Sequence, residues 1–181
     1  MSKLPRCYAN TDREALLSEG AKAGAVTFAD RLKYNHDVFH YSTNTLTFAN
    51  ASPMGIHTWL FLPYLRQQAS DEQAAYWVPL AESGKILGCY CQTELGHGTE
   101  VSAIETTATF DEETDEFVVH SPALASTKFW PGALGYAANY AIVFARLIVR
   151  GKDLGIHSFM VQIRALEDHR PLEGVELGDV G

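Results

Sequence analysis

The spacing of hydrophobic residues changes near Gly84, and this change divides the chain into two parts. Before Gly84, apolar residues recur every three or four positions, which is typical of amphipathic helices. The first such run covers residues 11–33, where Thr11 and Glu14 have the spacing of a capping box. After Gly84, apolar and polar residues alternate in short runs, which is typical of β-strands. The pattern predicts an α+β fold, with the helices first and the strands second.

A second helix is predicted for residues 54–68. This stretch is apolar nearly all round, so we expect a buried helix. Pro53 suits its first turn, and Pro63 is expected to bend it, because proline removes a helical hydrogen bond. Within this helix we expect Trp59 and Phe61 to be buried.

A shorter helix is predicted for residues 70–81. Ser70 and Gln73 have the spacing of a capping box, in which each side chain accepts a hydrogen bond from the backbone N–H of the other residue. The local sequence therefore specifies where this helix begins.

Five strands are predicted in the second part of the chain, at residues 85–92, 101–110, 116–120, 140–149 and 159–166. The polar run at 111–115 is expected to be the turn of a hairpin. Residues 140–149 fit a helix or a buried strand by periodicity alone, but their Ile-Val-Phe cluster and the following Gly151 favour a strand. The strands predict a small antiparallel barrel or sandwich, followed by a loop with a short strand at residues 171–181.

Composition and charge argue against two classes of partner. The 181 residues include 14 Lys and Arg against 22 Asp and Glu, a formal charge of −8. A chain with this net negative charge lacks the clustered cations that nucleic-acid binding needs. No apolar run reaches the roughly 20 residues of a membrane helix, and no signal-peptide core opens the chain. We therefore expect a soluble intracellular protein.

Cysteine and histidine spacings predict neither a disulfide framework nor a metal site. Three cysteines cannot form an even set of bridges, and Cys89 and Cys91 are two residues apart, on one face of a predicted strand. We expect reduced structural thiols, with Cys7 as the third. His36 and His40 have a metal-compatible spacing, but no third ligand lies near them in sequence.

Two segments join a strand to a glycine-bearing turn. Residues 91–98 read Cys-Gln-Thr-Glu-Leu-Gly-His-Gly, and residues 129–135 read Phe-Trp-Pro-Gly-Ala-Leu-Gly. Such turns let backbone N–H groups approach a ligand, but glycine is equally common in ordinary β-turns, so the residues alone leave both interpretations open. His97 is expected to be an exposed loop histidine. The Gly132-x-x-Gly135 spacing lacks the full dinucleotide-binding fingerprint.

Six motifs occur in order along the chain. They are Gly-Ile-His-Thr-Trp-Leu-Phe-Leu-Pro at 55–63, Gln-Thr-Glu-Leu-Gly-His-Gly at 92–98, Glu-Thr-Thr-Ala-Thr-Phe at 105–110, Lys-Phe-Trp-Pro-Gly at 128–132, Gly-Ile-His at 155–157 and Pro-Leu-Glu-Gly-Val-Glu-Leu-Gly-Asp-Val-Gly at 171–181. Together they resemble the peroxisomal acyl-CoA oxidases of the acyl-CoA dehydrogenase superfamily. The resemblance implies an incomplete N-terminal helical domain at 1–84 and a middle β-barrel domain that binds FAD at 85–181. It also implies that the C-terminal helical bundle of the family is absent from this chain.

The same resemblance implies five cofactor-binding residues. Thr93 corresponds to a threonine that contacts the flavin ring, and Trp130 to a tryptophan that packs beside it. Thr99, next to Gly98, stands where related dehydrogenases carry a serine near the FAD pyrophosphate. Gly132 stands where those dehydrogenases typically carry a threonine that is hydrogen-bonded to flavin N5. A glycine there leaves the flavin edge less crowded, which favours the approach of O2.

The activity implied is the oxidation of a fatty acyl-CoA to a trans-2-enoyl-CoA, with O2 reduced to H2O2. The implied location is the peroxisome or a related organelle such as the glycosome, although the chain ends in Gly-Asp-Val-Gly and carries no Ser-Lys-Leu address. The family's whole enzyme is expected to be a homodimer. Its catalytic glutamate lies in the C-terminal part, so we expect this chain to be an inactive fragment.

Two alternatives to the oxidase remain open. One is an acyl-CoA dehydrogenase that passes electrons to an electron-transfer protein, which Gly132 and the Gly96-His-Gly98 turn argue against. The other is a non-catalytic truncated module that binds acyl-CoA or flavin.

Overall fold

The computed structural model describes residues 53–178 and residue 180. Its first helix, α1, consists of α-helical Pro53–Ile56, π-helical His57–Phe61 and α-helical Leu62–Gln68. The second helix, α2, covers Asp71–Glu82. The predicted helix at 11–33, Cys7 and the His36–His40 pair lie outside the described residues.

Helix α1 confirms the predicted helix but is not buried on all sides. Phe61 is fully buried, as expected, whereas Trp59 is 52% exposed, so the prediction of its burial was wrong. The helix packs on the sheet with one side, and a sequence that is apolar all round does not show which side that is. The π-helical segment ends two residues before Pro63, where the backbone N–H of Leu62 donates to the carbonyl of His57. This wider turn precedes a residue that offers no N–H of its own.

Helix α2 begins at the predicted capping box. The Ser70 hydroxyl accepts from the Gln73 backbone N–H at 3.2 Å, and the Gln73 side-chain oxygen accepts from the Ser70 backbone N–H at 3.0 Å. Both bonds satisfy N–H groups that the first turn of a helix leaves without intrahelical partners. The predicted start of α2 is therefore confirmed.

Five strands form one mixed sheet, namely β1 (Gly88–Cys91), β2 (Thr107–Asp111), β3 (Glu116–His120), β4 (Tyr140–Val149) and β5 (Lys152–Gln162). The α+β class is confirmed, but the expectation of an antiparallel sheet was wrong. The pairs β2–β3 and β4–β5 are antiparallel hairpins, whereas β1–β4 and β2–β4 are parallel. Parallel pairs require long connections, and the hairpin with its flanking loops supplies one between β1 and β4.

The limits of three strands differ from the predicted ones. Strand β1 covers Gly88–Cys91, which is shorter than the predicted 85–92. The alternating run at 101–110 divides into a 3-10 turn, Val101–Ala103, and strand β2. Strand β5 begins at Lys152, before the predicted start at residue 159, because Gly151 closes a tight hairpin after β4 with φ of 74°. Strands β3 and β4 have the predicted limits.

Strand β4 organises the sheet. Strand β5 pairs along one edge of β4, from Tyr140 to Val149. On the other edge, β1 pairs with residues 140–143 and β2 pairs with residues 146–148. Strands β1 and β2 therefore follow one another along one edge of β4, and the loop that leaves β1 begins in the middle of the sheet.

The two faces of the sheet carry different residues. One face packs on the helices through Tyr140 and Ile142, which join Phe61, Leu62, Leu65, Ala81 and Ile86 in one buried cluster. The opposite face carries small side chains, including Cys89, Cys91, Ala141 and Val143.

Cys89 and Cys91 share one face of β1, as predicted. Both are buried free thiols, with their Sγ atoms 3.5 Å apart. The hydrogen bond with Cys91 and burial in apolar surroundings raise the pKa of the Cys89 thiol well above its ordinary value. A thiol that resists ionisation is a weak nucleophile, so Cys89 contributes packing, as does its buried neighbour Cys91 in the same cluster.

Candidate functional site

The turn after β1 is closed by hydrogen bonds between Glu94 and His97. The Glu94 N–H donates to the His97 carbonyl at 3.2 Å, and the His97 N–H donates to the Glu94 carbonyl at 3.1 Å. A β-carbon at Gly96 would lie 3.0 Å from the β-carbon of Ala125, whereas at Gly98 it would meet open space. Gly96 is therefore needed for close packing, and Gly98 leaves a free surface.

A second segment runs beside this turn. The N–H groups of Leu95 and Gly96 donate to the carbonyls of Thr127 and Ala125 at 2.9 and 2.8 Å. The Phe129 N–H then donates to the Thr93 carbonyl at 3.0 Å. These bonds join residues 92–98 and 125–130 into one unit, which we call the loop pair. The structure thus brings Thr93 next to the segment that carries Trp130.

A buried ion pair lies beneath the loop pair. The Lys128 ammonium is 3.1 Å from the Glu94 carboxylate, and it also donates to the carbonyls of Gln92 and Phe144 at 3.3 and 2.6 Å. Lys128 therefore fastens both segments of the loop pair to β4. Sequence reasoning missed both charged residues, because polar loop residues are usually exposed and no local pattern marks these as buried.

Hydrogen bonds keep the Glu94 carboxylate ionised despite its burial. Burial alone raises the pKa of Glu94, but the backbone N–H groups of Glu105 and Thr106, the Thr106 hydroxyl and Lys128 together hold it below the ordinary 4.5. Burial lowers the pKa of Lys128, and the bond to Glu94 opposes that shift. The pair is a buried and well-satisfied anchor for the loops.

His97 is less exposed than predicted. Its imidazole Nε2 is buried and lies 3.3 Å from the Glu105 carboxylate, without the geometry of a hydrogen bond. The side chain is 21% exposed, so the expectation of an exposed loop histidine was wrong. The reason is the tight Glu94–His97 turn, which folds the histidine back over the start of the segment that leads to β2.

Trp130, the last residue of the loop pair, has an unusual backbone conformation. Its φ of 58° lies in the left-handed region, which a bulky side chain rarely adopts, and 72% of the residue is exposed. Because Trp130 packs so little against the described part of the chain, burial of its indole does not compensate for the strain in its backbone. Strain of this kind is concentrated at functional sites, where a side chain must be presented in one orientation.

Gly132 lies against helix α1. Its φ is outside the left-handed region, so the backbone itself would accept another residue. A β-carbon at this position, however, would lie 2.4 Å from the Cγ1 of Ile56. The side chain of Ile56 occupies the space that any side chain at position 132 would need. Glycine is thus required here by a neighbour in the helical part of the chain.

The surface formed by these residues suits a flat ring with an anionic tail. Trp130 offers an exposed indole face, and aromatic faces stack on flat heteroaromatic rings. Gly98 and the exposed Thr99 lie further along the turn, where backbone approach is open. Thr93 and Trp130 are brought together by the loop pair, and Gly132 follows two residues later. The residues present therefore fit a flavin nucleotide.

Neither a metal cluster nor a membrane-spanning helix occurs in the part of the chain that the structure describes. Among residues 53–178 and 180, no three His, Cys, Asp or Glu side chains are placed to hold a metal ion. None of the helices described is both long and apolar enough to cross a bilayer.

Comparison with known proteins identifies relatives across nearly the whole chain. The family model described as acyl-coenzyme A oxidase N-terminal matches residues 1–87. Peroxisomal acyl-coenzyme A oxidase 1 of Arabidopsis thaliana is 52% identical over 126 residues, which cover 70% of this chain and 19% of the relative. The chain therefore spans about a fifth of the length of this curated relative.

Solved structures show the same similarity. An acyl-CoA oxidase from Lycopersicon esculentum (tomato) is 45% identical with a TM-score of 0.74, over 85% of this chain and 25% of that one. Acyl-CoA oxidase-2 of Caenorhabditis elegans, described as bound with FAD, ascaroside-CoA and ATP, is 39% identical with a TM-score of 0.71. In that match, 97% of this chain and 26% of the other are covered.

Proposed function

This chain belongs to the acyl-CoA oxidase family, and we propose that it supplies the helical and sheet portions of an FAD-dependent acyl-CoA oxidase. The whole enzyme would convert a fatty acyl-CoA to a trans-2-enoyl-CoA and reduce O2 to H2O2 in fatty acid β-oxidation. We place its N-terminal helical domain at residues 1–84 and its FAD-binding domain at 85–181. The end of α2 at Glu82 and the left-handed Gly84 support this boundary.

One observation carries the proposal on the structural side, namely the exposed and strained Trp130 beside Thr93. The indole would form one wall for the flavin ring, and the Thr93 hydroxyl would lie at the edge of that ring. Gly98 and Thr99 would approach the pyrophosphate through the turn that Glu94 and His97 close. Bound FAD would accept a hydride from the substrate.

Gly132 supports an oxidase rather than a dehydrogenase. Without a side chain it adds no atoms of its own near the flavin edge, and the side chain of Ile56 occupies the space that a side chain at position 132 would need. Gly132 would therefore leave O2 free to approach the reduced flavin. The catalytic base would come from the part of the enzyme that this chain does not include, as would most of the acyl pocket.

The remaining assignments rest on the relatives. The Arabidopsis relative is named as peroxisomal, which supports a peroxisomal location. Fatty acyl-CoA and O2 are the proposed substrates, and a homodimer is the proposed assembly of the whole enzyme. Because the elements beyond residue 181 would supply part of the FAD site, the 181-residue chain should bind FAD weakly.

Titration of FAD into the 181-residue chain tests the proposal, with quenching of flavin fluorescence as the signal. The Trp130→Ala variant should bind at least fivefold more weakly than the wild type. Leu154→Ala removes a similarly exposed apolar side chain from the β4–β5 hairpin and serves as the control. Equal FAD affinity for the wild type and Trp130→Ala would refute the assignment of Trp130.

A chimera tests the oxidase activity. In it, this chain replaces the corresponding segment of the Arabidopsis relative. The chimera should retain FAD and form H2O2 from a saturated acyl-CoA thioester. A chimera that folds and binds FAD but reduces only an artificial electron acceptor would favour the dehydrogenase alternative.

A further inference from the structure

Arg164 is a buried arginine whose two terminal nitrogens donate three hydrogen bonds to one loop. It follows β5, and only 4% of the residue is exposed. One terminal nitrogen donates to the carbonyls of Leu134, at 2.8 Å, and Ala138, and the other donates to the carbonyl of Gly135, at 2.8 Å. These three carbonyls belong to residues 130–138, which we call the tryptophan loop because it begins at Trp130.

The guanidinium is held by backbone carbonyls rather than by a carboxylate. Among the ion pairs of the described residues, none involves Arg164. Burying a charge without an ionic partner is costly, and burial lowers the pKa of Arg164 accordingly. The three carbonyl acceptors compensate for the lost solvation of the charge, so the position of the guanidinium and the conformation of this loop depend on one another.

The tryptophan loop has an unusual backbone conformation. Trp130 and Ala133 both have left-handed backbones, with φ of 58° and 68°. The N–H groups of Ala137 and Ala138 both donate to the single carbonyl of Ala133, at 2.9 and 2.8 Å. The carbonyls that follow are therefore turned inwards, towards the position that Arg164 occupies. The planar, forked guanidinium satisfies all three from two nitrogen atoms held in a fixed geometry, whereas a lysine ammonium would have to donate from a single nitrogen.

We propose that Arg164 is the positioning residue of the flavin site, which holds the tryptophan loop so that Trp130 is presented to the ring. This inference rests on the proposed function, because Trp130 is assigned there as a wall of the site. Arg164 does not itself reach the ligand surface. It acts by holding the tryptophan loop in the conformation that places the indole of Trp130 at the surface.

Arg164→Lys keeps the positive charge but loses the fork, so it isolates the geometric contribution. Hydrogen exchange of the Leu134, Ala137 and Ala138 amides in the 181-residue chain reports the order of the loop directly. We expect these amides to exchange at least tenfold faster in the variant. FAD affinity should fall at least fivefold. Leu65→Ala, a core variant in α1, is the control for lost stability, and at temperatures where it is folded it should change neither quantity.

A second variant keeps the test valid if Arg164→Lys unfolds. Trp130→Gly removes the cost of the left-handed backbone, since glycine adopts this conformation freely. In that background, Arg164→Lys should fold and should accelerate exchange of the same amides by less than tenfold relative to Trp130→Gly alone. Acceleration of tenfold or more, or failure to fold, would mean that Arg164 does not oppose the strain at Trp130, and it would overturn the inference.

Three further outcomes separate the inference from the proposed function. Unchanged exchange in Arg164→Lys would overturn the inference while leaving FAD binding intact. Faster exchange with unchanged FAD affinity would also overturn it, because Arg164 would then be only structural. A chimera with the Arabidopsis relative that folds but retains no FAD would overturn the proposed function, and with it the role of the loop as a flavin site.

Discussion

The Nζ atom of Lys128 lies 3.1 Å from the Oε1 atom of Glu94, and both side chains are withdrawn from solvent. This contact ties the turn after β1 to the segment that leads to Trp130. The same ammonium reaches the Phe144 carbonyl in β4, so the two loops are fixed to the central strand of the sheet. Exposed residues of the candidate site therefore rest on a buried polar anchor.

Removal of the Lys128 charge should strongly destabilise the fold. In Lys128→Met, the Glu94 carboxylate stays buried without its cation, and breaking a buried pair in this way costs about 3–5 kcal/mol. Arg66→Met is the matched control, because Arg66 pairs with Glu82 at the surface and such pairs contribute about 0–1 kcal/mol. Urea unfolding of the two variants measures the difference. Similar losses in both would show that Lys128 is not an anchor.

Acid should weaken this anchor in a defined pH range. The pKa of Glu94 is lowered in the folded state, so its ionised form stabilises the fold. That contribution is complete above the ordinary value of 4.5 and is lost as the pH falls through the lower folded value. Thermal unfolding of the wild type and Glu94→Gln should therefore converge as the pH decreases below 4.5. Melting temperatures that remain equally far apart down to pH 2 would contradict the role of the carboxylate.

Local sequence patterns predicted the elements well because each depends on neighbouring residues. The capping box of α2 needs only Ser70 and Gln73, and the strand Tyr140–Val149 is indicated by its Ile-Val-Phe cluster and the following Gly151. The parallel pairings of β4 depend on residues far apart in sequence, and no local pattern encodes them.

The candidate site could be predicted only in part, because some of its features are local motifs and others depend on contacts between distant segments. Thr93 and Trp130 lie in motifs with a recognisable resemblance, whereas the burial of Glu94 depends on donors from Thr106 and Lys128, which only the fold brings together. The requirement for glycine at position 132 comes from Ile56 in another element. The Gly132-x-x-Gly135 spacing in the sequence cannot reveal that contact.

The contact between Gly132 and Ile56 should appear as coupling between mutations. Gly132→Ala places a β-carbon 2.4 Å from the Ile56 side chain, and overpacking of this kind costs about 1–3 kcal/mol. Ile56→Ala removes the clashing atom, so Gly132→Ala should cost at least about 1 kcal/mol less in that background. Gly98→Ala, where the new methyl group meets open space, is the control. Additive free energies of unfolding would rule out the clash.

The reactivity of the flavin with O2 should depend on the same position. In the chimera with the Arabidopsis relative, Gly132→Thr would place a side chain near the flavin edge, but the clash with Ile56 would disturb the loop. The test therefore uses Ile56→Ala/Gly132→Thr, compared with Ile56→Ala alone. Flavin reduction by substrate requires no O2 and should persist in both. Reoxidation by air should slow about tenfold in the double variant, which corresponds to about 1.4 kcal/mol in the barrier.

Stopped-flow absorbance separates the two half-reactions of this comparison. The φ of Gly132 lies outside the left-handed region, so a threonine there strains no backbone, and FAD content should equal that of the Ile56→Ala parent. Turnover with an artificial electron acceptor should then exceed turnover with O2. If the double variant retains FAD and is reoxidised by air as fast as its parent, the absence of a side chain at position 132 does not determine the reaction with O2.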